Sequence, residues 1–181
     1  MNDTKTKIIT GAIDIFSKNP SASIEEIGAS IHLSRRTLHR YFSSKSDLIA
    51  EITAYASNFC LHKTKLAVKS SEDPIDQLKT MFYNDIESGS RYRFLYTYRD
   101  SMEDLEATSA DFQEMMHLFR KLLQTLQNRK QLEPIYTLEW IEKLYFSTIN
   151  AAIDLIQTKQ SNEQEIVKMA WTSYYNSILK K

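Results

Sequence analysis

Turn-forming residues are scarce in this sequence, since its 181 residues include three glycines and three prolines. The many tight connections of a β-sandwich, a barrel or a doubly wound sheet draw on these residues, so such folds are disfavoured. Gly11, Gly28 and Gly89 also lie too far apart to build a glycine-rich phosphate-binding loop. The sequence therefore predicts an all-α chain.

The composition is that of a folded protein without an overall charge. Hydrophobic residues make up 42% of the chain and charged residues 25%, which is ordinary for a globular protein and argues against disorder. Lys and Arg together number 23, as do Asp and Glu, so the formal net charge is zero. A uniformly basic, histone-like binder is thereby excluded.

Cysteine usage and hydropathy bear on the compartment. Cys60 is the one cysteine and cannot form an internal disulfide, and no apolar segment follows the N-terminal charges as in a secretory signal. No run approaches the roughly 18 apolar residues of a membrane span. We expect a soluble, cytoplasmic protein in which Cys60 is a packed residue.

Apolar residues recur at helical spacing along most of the chain, and capping residues divide this pattern into about nine helices. Ser23 followed by Glu26 forms a capping box, and Ser34 and Ser44 are further N-cap candidates. The expected helices cover about residues 4–18, two short segments after Ser23 and Ser34, and then 44–70, 74–88, 91–106, 109–128, 134–158 and 161–180.

One segment fits two interpretations. Tyr92, Phe94, Tyr96 and Tyr98 alternate with other residues, as on one face of a strand. The same stretch also fits a helix, and the sequence offers no second strand-like run to pair with it. A helix is the better prediction here.

Positive charge is concentrated between residues 28 and 46, which include Arg35, Arg36, Arg40 and Lys45 but no Asp or Glu. Such a run is often a solvated helix face. In this chain it coincides with two short helices joined by a tight turn, the second offering guanidinium, hydroxyl and imidazole groups. That combination suits a reader of the DNA major groove.

The segment from Ile24 to Ile49, with Ser34 to Phe42 followed by Lys45 and Leu48 as its most specific part, closely resembles the helix-turn-helix of the tetracycline-repressor (TetR) family of transcriptional regulators. The resemblance implies a three-helix DNA-binding domain over residues 1–46. A larger helical domain for ligand binding and dimerisation would then cover residues 47–181.

The resemblance also assigns roles by position. Ser34 would cap the recognition helix, the residues after it would face the groove, and Tyr41, Lys45 and Ser23 would touch phosphates. His32 stands where the family usually has glycine in the turn, and His39 where it usually has tyrosine. The implied DNA-binding residues are Ser23, Ser34, Arg35, Arg36, Thr37, His39, Arg40, Tyr41 and Lys45.

In this family the larger domain holds a small molecule whose binding moves the DNA-binding domains apart. Aromatic and Met side chains suit an apolar or aromatic effector, although at helical spacing they more often belong to a core. An acidic run between Arg99 and Arg120 is most simply a solvated region, with a cationic ligand as the alternative. The candidate ligand residues are Phe59, Phe82, Tyr83, Tyr92, Tyr96, Met102, Met115, Phe119 and Tyr145.

The last two expected helices carry broad apolar faces, and the resemblance implies that they pair with a second copy in a four-helix interface. Such a homodimer would present two recognition helices about 34 Å apart to a palindromic operator on double-stranded DNA. The candidate dimerisation residues are Ile141, Tyr145, Ile149, Ile153, Ile166, Met169 and Tyr174.

Catalysis finds little support. The four histidines show no metal-ligand spacing, no nucleophile or zinc-protease motif is present, and no cofactor motif is found. We expect a ligand-responsive transcriptional regulator, most simply a repressor, and not an enzyme. A helical ligand-binding or protein-interaction module without DNA binding is the alternative.

Overall fold

The computed structural model describes residues 3–103, 109–158 and 162–180, apart from the side chains of Asp3 and residues 99–103. These residues form α-helices and no β-sheet, as predicted. No helix among them is both long enough and apolar enough to cross a membrane. The helices are α1 (Asp3–Phe16), α2 (Ile24–Ser30), α3 (Arg35–Tyr41), α4 (Lys45–Val68), α5 (Pro74–Ser88), α6 (Ser90–Glu103), α7 (Ala110–Asn128), α8 (Leu138–Gln157) and α9 (Glu163–Ile178).

The chain forms two compact units that interleave in sequence. The first comprises Met1–Phe59 and Ser90–Phe112, and the second comprises Cys60–Gly89 and Gln113–Lys181. The first unit therefore contains α1–α3, the start of α4, and α6. The second contains the rest of α4 together with α5, nearly all of α7, α8 and α9.

The first unit is built around α1, whose predicted apolar face is buried. Phe16 near its end is fully buried and packs against the rings of Phe94 and Tyr98 on α6, with centroid distances of 6.4 and 5.9 Å. The aromatic segment at residues 92–98 is therefore helical, as predicted. A methyl group at Gly11 would overlap the side chain of Ile31, so α1 and the end of α2 approach closely.

The second unit has an aromatic core between α5, α8 and α9. Phe82 contacts the rings of Tyr145, Trp171 and Tyr174 at centroid distances of 5.4–5.5 Å. Phe119 on α7 adds a further ring, 4.5 Å from that of Tyr145. Aromatic side chains of this size contribute much of the buried apolar area that holds such helices together.

Two helix starts differ from the sequence prediction. α8 begins at Leu138 and not at residue 134, because the Thr137 side chain accepts from the N–H of Trp140 and so forms the cap. α9 begins at Glu163 with Asn162 as its cap. Ser161, the cap expected from the sequence, lies outside the described residues.

Candidate functional site

The second helix begins in the predicted capping box. The backbone N–H of Ser23 donates to Glu26 Oε2 at 2.6 Å, and the N–H of Glu26 donates to Ser23 Oγ at 3.2 Å. The hydrogen bond from Ser23 holds the pKa of Glu26 below its usual value. The box fixes the start of α2 and leaves the Ser23 hydroxyl half-buried beside the helix N-terminus.

The turn between α2 and α3 depends on two residues. His32 adopts a φ of 57°, a left-handed conformation that glycine takes without strain and that histidine tolerates better than most side chains. At Gly28 an added Cβ would lie 2.8 Å from Leu38 Cδ1 and 2.9 Å from the carbonyl oxygen of Leu33. Gly28 thus allows the close packing of α2 against α3.

Ser34 caps α3, as predicted. Its Oγ accepts from the N–H of Thr37 at 3.2 Å and lies 2.9 Å from the Thr37 hydroxyl. Leu38 and Phe42 are buried and hold the helix in place. The helix is therefore fixed by its cap and by two apolar side chains, and its remaining side is free to meet another molecule.

The cationic side chains of α3 are exposed but differ in their contacts. Arg35 Nε lies 3.1 Å from Glu25 Oε1 and donates to His39 Nε2 at 3.3 Å. Arg40 lies over the ring of Tyr41 at 5.1 Å. Arg36 forms no ion pair with any residue that the structure describes. Arg36 and Arg40 are thus the two guanidinium groups most available to a partner.

Lys45 has an internal role that the sequence did not suggest. Its Nζ donates to the carbonyl oxygen of Pro20 at 3.2 Å and lies 5.2 Å from the centre of the Phe16 ring. The hydroxyl of Tyr98 donates to the same carbonyl at 2.8 Å. Burial raises the pKa of Tyr98 to about 12, so this hydroxyl keeps its proton. Pro20, next to the start of α2, therefore ties α4 and α6 to the helix-turn-helix.

The sequence family described as bacterial regulatory proteins, tetR family, matches residues 8–52, the segment that spans this helix pair. The match is to the TetR family of bacterial regulators and covers this N-terminal segment of the chain.

Relatives and solved structures match the chain along nearly its whole length. The transcriptional repressor LfrR of Mycolicibacterium smegmatis is 21% identical over 97% of this chain and 90% of its own length. The structure of LfrR from Mycobacterium smegmatis in complex with proflavine has a TM-score of 0.68 at 20% identity, covering 98% of both chains. The ketosteroid regulator KstR2 of Mycobacterium tuberculosis has a TM-score of 0.69 at 14% identity, covering 100% of this chain and 97% of that one. These likenesses show a shared fold.

The candidate ligand residues fall into two groups. Phe82, Tyr83, Met115, Phe119 and Tyr145 lie in the second unit, where Tyr83 alone is half-buried and the others are buried. Phe82, Phe119 and Tyr145 form part of the aromatic core described above. The remaining candidates belong to the first unit: Phe59 and Tyr96 are half-buried, Tyr92 is buried, and Met102 is not among the described side chains.

The acidic run considered for a cationic ligand is only partly described. Asp111 accepts from the side-chain amide of Asn58 at 2.9 Å, and Glu114 lies 2.7 Å from Lys65 Nζ. Both carboxylates thus already have partners within the chain. Asp100, Glu103, Asp104 and Glu106 lie outside the described side chains.

Asp85 is a buried carboxyl group that the sequence analysis did not single out. Its Oδ2 accepts from the Tyr145 hydroxyl at 2.7 Å. Burial raises its pKa to about 7, and the hydrogen bond from Tyr145 opposes this shift only in part. The spacing of Leu78, Phe82 and Asp85 along the apolar stripe of α5 was the available signal.

Asp85 should make stability depend on pH. Because its pKa is raised in the folded protein, the folded state binds the proton more tightly than the unfolded chain. The free energy of unfolding should therefore fall as pH rises from about 4 to about 7, by at most ~1.4 kcal/mol per pH unit. Urea unfolding at several pH values should show this fall in the parent but not in Asp85→Asn. Asp76→Asn, an exposed change on the same helix, should keep it, and identical profiles for all three proteins would contradict the assignment.

The candidate dimerisation residues are mostly covered within one chain. Six of them are at most 3% exposed and belong to the core of the second unit, namely Ile141, Tyr145, Ile149, Ile153, Ile166 and Tyr174. Met169 is 53% exposed. In this structure the six buried side chains offer no surface to a second copy, because the apolar face that they form packs among α5, α8 and α9.

Proposed function

We propose that this chain is a homodimeric repressor that binds a palindromic operator through α2 and α3 and is released from it by a small molecule. Residues 1–46 would read DNA, and residues 47–181 would bind the effector and form the dimer. The observation that carries the proposal is the exposed, acid-free cationic side of α3, held by the Ser34 cap within the segment that matches the family.

The contacts differ in kind along the site. Arg36 and Arg40 would reach base edges, where a guanidinium can donate twice to guanine. Thr37 and His39 would lie beside them. Arg35 would contact the DNA only once its ion pair with Glu25 is broken. The hydroxyls of Ser23, Ser34 and Tyr41 suit phosphates, and the helix N-termini favour them. Lys45 would act chiefly by holding Pro20 in place.

In the proposed dimer, each copy would contribute the solvent-exposed sides of α8 and α9. These sides adjoin the faces of the same helices that are buried within the chain. On α8 this side carries a row of residues at helical spacing, namely Trp140, Leu144, Ser147, Ala151 and Leu155. Asp154 continues the row 14 residues after Trp140 and Lys143 flanks it, whereas Glu139 lies about 100° away around the helix. On α9 the corresponding side holds Met169, Thr172, Ser173 and Asn176. Large apolar side chains beside small ones allow two helices to approach closely, which suits a second copy.

An effector would act on the contacts that α6 makes with the helix-turn-helix. The relative LfrR has been seen with proflavine, which supports an aromatic effector for this chain. Among the candidate ligand residues, Phe59, Tyr83 and Tyr96 are the half-buried ones and so the most accessible. A shift of α6 would pull on Pro20 through Tyr98 and move the start of α2.

Selection of duplexes from a random pool by the purified protein tests the proposal. The expected result is enrichment of an inverted repeat whose half-sites lie about one helical turn apart. Affinity for the selected duplex should fall steeply with salt, since several phosphate contacts release counterions. Absence of any enriched sequence, or a salt-independent affinity, would contradict it.

A further inference from the structure

Arg91 occupies an unusual environment at the start of α6. Its guanidinium lies over the ring of Phe59, 4.5 Å from the ring centre, and 5.8 Å from the centre of the Tyr55 ring. Tyr55 and Phe59 are one turn apart on α4, so both rings lie on the side of that helix that meets Arg91. All three side chains belong to the first unit and are half-buried.

The charge of Arg91 has no acceptor among the residues that the structure describes. Its Nε is buried without a hydrogen-bond partner, and the guanidinium forms no ion pair with any residue in the described part of the chain. Two other cations that lie over rings have acceptors, since Lys5 pairs with Glu51 and Lys45 donates to Pro20. Lys79, which lies over the Tyr83 ring, is exposed to water instead. A partly desolvated cation without an acceptor is costly, and a bound anion would remove that cost.

We propose that Arg91, with Phe59 and Tyr55, binds the acidic group of an organic monoanion whose remaining body is apolar or aromatic. This inference rests on the proposed function, because the anion would be the effector. The planar guanidinium offers paired donors to a carboxylate or sulfonate, and the two rings hold its plane. Arg91 lies in the first turn of α6, which contains no acidic residue, so the helix N-terminus also favours an anion there.

The rings of Tyr55 and Phe59 favour a weakly hydrated monoanion over inorganic phosphate. A phosphate would keep little of its hydration beside two rings and would gain only one cation. An organic acid loses less water and brings apolar surface of its own. The site therefore discriminates on two features at once, one negative charge and an apolar body.

Two fluorescent probes separate these features. 1-Anilinonaphthalene-8-sulfonate carries an anionic group, and N-phenyl-1-naphthylamine has the same rings without it. The parent should bind the sulfonate more tightly than the uncharged probe. Arg91→Met, which keeps an apolar chain over the rings, should weaken sulfonate binding about ten- to hundredfold and change binding of the uncharged probe by less than about twofold.

Matched variants make the result decisive. Arg129→Met removes an exposed guanidinium from the second unit and should leave both affinities unchanged. Arg91→Lys keeps the charge but not the planar guanidinium, so its loss of sulfonate affinity should be intermediate. If Arg91→Met does not fold, Arg91→Lys takes its place in the comparison of the two probes. Equal loss of both probes in the Arg91 variants, unchanged sulfonate binding in them, or no sulfonate binding by the parent would overturn the proposal.

DNA binding distinguishes this inference from the proposed function. Without probe, Arg91→Met should bind the selected duplex as the parent does, because Arg91 is not among the proposed DNA contacts. A parent that binds the sulfonate through Arg91 but selects no DNA would refute the regulator and keep the anion site. A parent that selects DNA but whose probe binding does not depend on Arg91 would refute the anion site and keep the regulator.

Discussion

Replacing Arg36 and Arg40 together by alanine is expected to weaken operator binding by about hundredfold or more, since each base-reading guanidinium contributes roughly 1–3 kcal/mol. Both side chains are exposed on α3, and neither holds the fold together. Arg35→Ala should have a smaller effect, because Arg35 must first give up its ion pair with Glu25. Fluorescence anisotropy with the selected duplex at one fixed salt concentration measures the change.

A matched control removes the same charge elsewhere. Lys121→Ala with Arg129→Ala deletes two exposed cations from α7 and the segment that follows it, and should shift the affinity by less than about threefold. Urea unfolding should show that both double variants remain as stable as the parent. If the control loses as much affinity as the α3 variant, the effect is one of overall charge and the assigned site is wrong.

Met169→Arg is expected to break the dimer. Met169 is 53% exposed in a single chain and lies on the side of α9 that also holds Thr172 and Ser173. In the dimer two arginines related by symmetry would be brought together away from water, and the dimer dissociation constant should rise by about a hundredfold or more. Sedimentation at several concentrations measures this constant.

The control for the dimer adds the same charge to another side of the same helix. Gln164 is exposed, and helical spacing places it away from Met169. Gln164→Arg should leave the dimer intact. Because operator binding requires both halves, Met169→Arg should also lose affinity for the full inverted repeat. A dimer that tolerates Met169→Arg would refute the proposed interface.

Local features of the helix-turn-helix could be predicted from the sequence because they depend on neighbouring residues. The Ser23 capping box and the Ser34 cap each follow from side-chain chemistry within a few positions. The left-handed His32 stands where the resembling family usually has glycine, so the resemblance and not the local pattern pointed to this conformation.

Long-range features could not be predicted in this way. The hydrogen bond from Tyr98 to Pro20 joins residues 78 positions apart, and no local pattern indicates it. Periodicity found the apolar faces of α8 and α9 but could not distinguish packing within the chain from packing against a second copy. Ile149 is therefore buried in one chain, whereas Met169, from the same predicted set, is exposed.

Two copies of this chain are expected to bind the two halves of one palindrome through α3. The most direct measurement compares the dimer on a duplex carrying the full selected repeat with a duplex of equal length in which one half is scrambled. We expect two protomers on the full repeat and affinity for the half-scrambled duplex weaker by about tenfold or more. Equal affinity for both duplexes, or one protomer on the full repeat, would contradict the account.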